Sequence, residues 1–213
     1  MNRMFYKLYC TLNLYSVLTL FWGNTMVNGH DLVNIQDINP RIIVDIKYAT
    51  THNFTHKKVY THAVCYVRRS VADKLDKVQK ELEKNKLGLK IFDGYRPRSV
   101  QYIFWDLMPD PRYVADPAKG SRHNRGSAVD VTLVDSTGKE LAMPTPFDDF
   151  TIKAHRNYTK LPAAVIANRA LLESVMIKFG FVGLPTEWWH FDDAQWQKYE
   201  LLDIPLSDLI KNK

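Results

Sequence analysis

Asp130 stands in the middle of SAVDVTLVD, residues 127 to 135, a run rich in β-branched residues that closes on the turn signal Ser136, Thr137, Gly138. The run reads as a strand. Strict alternation puts Asp130 on one face with Ala128 and Thr132, and Val129, Val131 and Leu133 on the other. A carboxylate flanked by valines is costly to bury unless it is paired, hydrogen-bonded or bound to a metal. Any fold of this chain must therefore bring Asp130 a partner. An ion pair to Arg122 or Arg125 would serve, as would a cap or turn contact, and the preceding polar loop also offers His123 beside Asn124 and Gly126.

The rest of the pattern sets the fold class. Val67, Val71, Leu75, Val78 and Leu82 recur at helical spacing between polar residues, which predicts an amphipathic helix over 67–82, stopped by Gly88. LKIFD at 89–93 reads as a strand, and RSVQYIFWDLM at 98–108 as a helix following Pro97. Residues 162–179 open on Pro162, carry Val165, Ile166, Ala170, Leu171, Val175 and Phe179 as one stripe, and stop at Gly180. EWWHF at 187–191 reads as a last strand. This irregular alternation fits a single α+β domain over residues 30–213 better than a doubly wound sheet.

Residues 1–29 are of a different kind. Arg3 and Lys7 precede a charge-free run from Leu8 to Trp22, and VNG follows at 27–29, the plan of a secretory signal peptide cleaved after Gly29. The apolar run is interrupted by Thr11, Asn13, Ser16 and Thr19 and is shorter than the roughly 20 residues that span a bilayer. An exported protein, most simply periplasmic, with no stable membrane anchor after cleavage, is the expectation, and a retained membrane anchor is the alternative. Without Arg3 and Lys7, 27 basic residues face 23 acidic ones, so the charge gives no reason to expect a nucleic-acid partner. Cys10 leaves with the leader, and Cys65 alone makes no internal disulfide; it reads as a buried small side chain, with a nucleophile as the alternative.

Near the chain end, EWWHFDD offers Glu187 and His190 three residues apart. Zinc in hydrolases is commonly held by two histidines and a carboxylate with one position left open, and His123, Asp130 and His190 make up that set for one ion per chain. Glu187 would be the general base. A regular strand over 187–191 would point Glu187 and His190 to opposite faces, so the strand must start after Glu187 or carry a bulge. The alternative is a plain core strand with Glu187 exposed. DGYRP at 93–97 places Arg96 between a strand and a helix, where an arginine could face an oxyanion.

Taken together, KYATTHNF (47–54), DGYRP (93–97), SRHNRGSAVDVTL (121–133), FDDF (147–150) and EWWH (187–190) resemble the zinc D-alanyl-D-alanine dipeptidases, within the D,D-peptidases that share a fold with the Hedgehog signalling domain. That resemblance implies a small, mainly antiparallel sheet flanked by helices and hydrolysis of the dipeptide D-Ala-D-Ala. It assigns zinc to His123, Asp130 and His190, the base to Glu187 and transition-state stabilisation to Arg96. It also implies Asp148 as the acceptor of the substrate ammonium with Tyr48 nearby, Ser121 and Asp93 as supporting groups, and Trp188 and Trp189 as pocket walls. The stretch between Arg96 and His123 is shorter than in the vancomycin-resistance dipeptidases of that family, and the sequence after FDDF differs. A D,D-carboxypeptidase acting on peptidoglycan stem peptides and a non-catalytic zinc-binding module are the rival readings.

Overall fold

The computed structural model describes Met1 and residues 31–211; the rest of the leader-like segment, Cys10 included, lies outside the described residues. In chain order the elements are β1 (Leu32–Asn34), α1 (Ile35–Ile38), β2 (Ile43–Val44), β3 (Tyr66–Arg68), α2 (Arg69–Glu83), β4 (Leu87–Asp93), α3 (Arg98–Leu107), β5 (Ala128–Asp135), α4 (Ala163–Lys178), β6 (Phe181–Gly183), β7 (His190–Asp193) and α5 (Leu206–Lys211). β1 and β3 form a small antiparallel pair, and the main sheet has the order β2-β4-β5-β7-β6. Among the described strands of this sheet only the β2–β4 pairing is parallel. The fold is α+β with a mainly antiparallel sheet, as the sequence indicates.

Cross-strand partners share a face, so the register divides the sheet. Leu89, Leu133, Ile91, Val131, Val129 and Phe191 lie on one side. They join Val71, Leu75, Val78, Leu172 and Met176, from α2 and α4, in one buried core. The opposite side carries Ala128, Asp130, His190 and Asp192. Lys74 of α2 donates to both Asp193 oxygens at 2.9 Å and ties that helix to β7. Leu75 is fully buried at the centre of the core. Leu75→Ala should destabilise the protein by about 2–5 kcal/mol, read as a lower urea midpoint at unchanged slope.

Three local expectations need correction. α2 ends at Glu83, and the chain reverses at Lys86, which adopts φ 58, so Gly88 falls inside β4 and does not stop the helix. The buried stripe of α4 is Val165, Arg169, Leu172, Val175 and Met176, while Ala170 is exposed. Arg169 tolerates burial because its Nη1 donates to the carbonyls of His155 and Tyr158 at 3.1 and 2.9 Å. The last strand begins at His190, not at Glu187. Residues 187–189 follow a turn in which Glu187 N donates to Leu184 O at 3.2 Å.

β4 also departs from alternation. Its register to β5 shifts between Ile91 and Asp93, so that Asp93 lies opposite Asp130. Regular alternation would have placed Asp93 with Leu89 and Ile91 on the apolar side. The irregularity instead brings it to the side of Asp130, the kind of re-aiming that bulges perform beside functional sites.

Candidate active site

Three polypeptide segments meet on the polar side of the sheet. Asp130 projects from β5 and His190 from the first position of β7, its cross-strand partner. His123 comes from a 3-10 turn, His123–Arg125, which ends on Gly126 at φ 67. Ser121 Oγ accepts from His123 N at 3.2 Å, and Asn124 Oδ1 accepts from Ser121 N at 2.7 Å, so the turn is braced from within. Asn124 Nδ2 donates to Arg96 O at 2.9 Å and fastens the turn to the loop after β4.

The three side chains form a compact triangle. His190 Nδ1 lies 3.0 Å from Asp130 Oδ1, His123 Nε2 lies 3.4 Å from the same oxygen, and the two ring nitrogens are 3.2 Å apart. Ligand bonds of about 2.0–2.2 Å in a tetrahedron put neighbouring donors about 3.3–3.5 Å apart, so this set fits a zinc ion. Both rings are oriented from behind. His123 Nδ1 donates to Gly94 O at 2.7 Å, and His190 Nε2 donates to Asp192 Oδ1 at 2.9 Å. Each contact leaves the other nitrogen free to face the cluster, the usual outer-shell arrangement for metal-bound histidine.

The electrostatics show that this cluster calls for positive charge. Burial works against an ionised Asp130, but His123 and His190 hold its carboxyl well below the usual range. Burial alone would depress His190, yet Asp192 and Asp130 drive it up to about 10. A proton on His190 or a bound cation would satisfy the same need. Glu187 sits at the edge, Oε2 4.0 Å from His190 Nδ1 and only 5% exposed. Burial pushes its carboxyl up to about 8.

A cleft opens beside the triangle, lined by Tyr48, Arg96, Ser121, Asp148, Glu187 and Trp189 together with the three donors. Arg96 is buried with its guanidinium 4.6 Å over the ring of Phe104 and 5.3 Å over that of Tyr48. Its Nε and Nη2 donate to Asp93 Oδ2 at 3.1 and 2.7 Å, and Nη1 donates to Gln101 Oε1 at 2.9 Å. Tyr60 Oη and Gly94 N donate to the other Asp93 oxygen, each at 2.9 Å. Burial opposes the charge on Arg96, but Asp93 raises its pKa well above the free value.

Asp148 lies on the loop before the 3-10 turn at 152–154. It takes a left-handed backbone, φ 61, and accepts from Tyr48 Oη at 3.0 Å and Phe54 N at 3.1 Å. Such a conformation in a non-glycine residue persists only where its surroundings over-determine it. Burial pushes this carboxyl up to about 7.

One residue expected at the pocket, Trp188, lies elsewhere, and Asp93, expected as a supporting group, acts from behind Arg96. Asp93 is fully buried behind Arg96 and does not line the cleft, because all four of its hydrogen bonds go to Tyr60, Gly94 and Arg96. Trp188 is turned into the core, where its Nε1 donates to Thr145 Oγ1 at 3.0 Å; Trp189 alone of the pair faces the cleft. Cys65 is buried against Gly94, and burial pushes its thiol far up, which leaves no nucleophile there. Asp192 and Gln101 escaped the sequence reading. Asp192 was detectable: two residues after His190 in a strand, it must share that histidine's face.

A family model described as D-Ala-D-Ala dipeptidase matches residues 28–211. The chain is 38% identical over 185 residues to a D-alanyl-D-alanine dipeptidase of Escherichia coli (strain K12), covering 87% of this chain and 96% of that one. A D-alanyl-D-alanine dipeptidase of Enterococcus faecalis (strain ATCC 700802 / V583) is 31% identical over 189 residues, 79% of this chain and 90% of that one. Among solved structures, that of the LD-carboxypeptidase LdcB covers 79% of this chain and 70% of its own, with 21% identity and a TM-score of 0.45.

Proposed function

The chain belongs to the D-alanyl-D-alanine dipeptidase family of peptidases, and from that premise we propose that it is a zinc-dependent hydrolase of the dipeptide D-Ala-D-Ala. The observation that carries the chemistry is the donor triangle of His123, Asp130 and His190, 3.0–3.4 Å on each side, with buried Glu187 at its edge. Zinc held there would supply Lewis acidity, making water more acidic and polarising a carbonyl.

The protein's own groups do the rest. Glu187 takes the proton of the attacking water and returns it to the leaving amine; a carboxyl poised near neutrality is suited to both transfers. No covalent enzyme intermediate is needed. Arg96, immobilised by Asp93 and Gln101 and packed against the rings of Tyr48 and Phe104, faces the oxyanion as it forms. Asp148, supported by Tyr48, receives the substrate's ammonium, and Ser121 and Trp189 border the bound dipeptide.

Asp148 is also what favours a dipeptidase over a carboxypeptidase. A stem peptide ending in D-Ala-D-Ala has no free ammonium at the second residue from its end, and would bring that buried carboxylate no counter-charge. The leader-like residues 1–29 favour an exported enzyme, and there the natural source of the dipeptide would be cell-wall turnover.

The test is D-alanine release by zinc-loaded protein from D-Ala-D-Ala and from a stem pentapeptide. Asp148→Ala should raise KM for the dipeptide about 10- to 100-fold, the worth of a hydrogen-bonded charge, and leave pentapeptide turnover unchanged. Wild-type protein that prefers the pentapeptide would overturn the reading in favour of a carboxypeptidase.

A further inference from the structure

We propose that Arg156 is a positioning residue that fixes the loop bearing Glu187, and that Gly183 is kept bare to admit it. This rests on the reading of Glu187 as the base. The loop between β6 and β7 runs from Leu184 to Trp189, and its own backbone closes it with two contacts of 3.2 Å: Leu184 N donates to His190 O, and Glu187 N to Leu184 O. Arg156 holds the same carbonyls from outside. Its Nε donates to Leu184 O at 2.9 Å, its Nη2 to His190 O at 2.7 Å, and its backbone N to Pro185 O at 3.0 Å. One residue thus grips the loop at both ends.

The grip is built from further away. The guanidinium lies 4.2 Å over the ring of Phe191, and Nη1 is 3.5 Å from Glu173 of α4. Arg169 of α4 binds the carbonyls of His155 and Tyr158, on either side of Arg156 in the chain. A Cβ at Gly183 would clash with Arg156 Cζ and Nε. Gly183 lies outside the left-handed region, so space rather than backbone conformation requires glycine there. Arg156 does not line the cleft.

Glu187 needs such support. Among the described residues no side chain donates a hydrogen bond to its carboxylate, so its place depends on the backbone beneath it. A base must stand within hydrogen-bond reach of its proton, and misplacement by about 1 Å costs about 100-fold in rate.

The experiment compares Arg156→Met, Gly183→Ala, the two together, Arg156→Lys and wild type. Each is zinc-loaded and assayed on D-Ala-D-Ala for kcat and KM, with zinc content and amide hydrogen exchange over 184–190 measured on the same samples. Each of Arg156→Met and Gly183→Ala should lower kcat about 100-fold with KM and zinc content unchanged and loop exchange accelerated. The double variant should fall no further, because both changes remove one contact set. Arg156→Lys, which reaches one carbonyl at a time, should recover part of the loss. Should Arg156→Met fail to fold, Gly183→Ala decides the matter alone. Unchanged kcat and exchange, a loss confined to KM, or a loss that follows zinc content overturns the proposal. If wild type itself is inactive on the dipeptide, the dipeptidase reading fails, and the exchange comparison still decides whether Arg156 clamps the loop.

Discussion

Zinc-loaded Glu187→Ala protein is expected to release D-alanine from D-Ala-D-Ala about 10²- to 10⁴-fold more slowly than wild type, the range over which a positioned acid–base group contributes. Zinc content should not change. The three donor atoms come from β5, β7 and the turn at 123–125, and each ring is oriented by Gly94 O or Asp192 rather than by Glu187. The loss should fall on kcat, because Glu187 acts on the proton of the attacking water and makes no contact that a bound dipeptide requires. Glu187→Gln is the stricter variant: it keeps the volume of a side chain that is only 5% exposed and removes only the basicity. Equal rates for wild type, Ala and Gln variants at matched zinc content would remove Glu187 from the mechanism, whatever its geometry suggests.

How far this site was legible depends on what kind of partner each residue has. α2 was readable because Val71, Leu75, Val78 and Leu82 all turn inward at helical period. α4 was readable in extent but not in face, since Arg169 is buried through hydrogen bonds to two loop carbonyls, and hydropathy carries no signal for that. Asp130 announced itself as a charge in an apolar strand. Asp93 did not: its position beside the site comes from a register shift in β4 that alternation cannot anticipate. The conflict between Glu187 and His190 resolved as geometry demanded, with the strand beginning at His190. Arg156 was beyond reach, because its partners are backbone carbonyls of a loop far along the chain, and those are the same for every sequence.

Metal removal should have the largest effect of all. Protein freed of zinc by a chelator is expected to lose essentially all D-alanine release and to melt at a lower temperature, with both restored by added zinc. A ligand present at about 1,000 times its dissociation constant contributes about 4 kcal/mol to stability, so the shift should be plain in a thermal scan. His123→Ala should abolish that zinc-dependent shift. Its Nε2 is one corner of the triangle, 3.4 Å from Asp130 Oδ1 and 3.2 Å from His190 Nδ1, and the two remaining donors would have to complete the coordination from water. Asp192→Ala should weaken zinc about 10- to 100-fold without abolishing it, as expected for a group that orients a ligand and does not bind the ion. The ordering of the two variants matters more than either value. Metal affinity lost equally in both would mean that Asp192 is itself a ligand. Full activity in protein shown by elemental analysis to be zinc-free would mean that the triangle serves only to pair a buried carboxylate with two imidazoles.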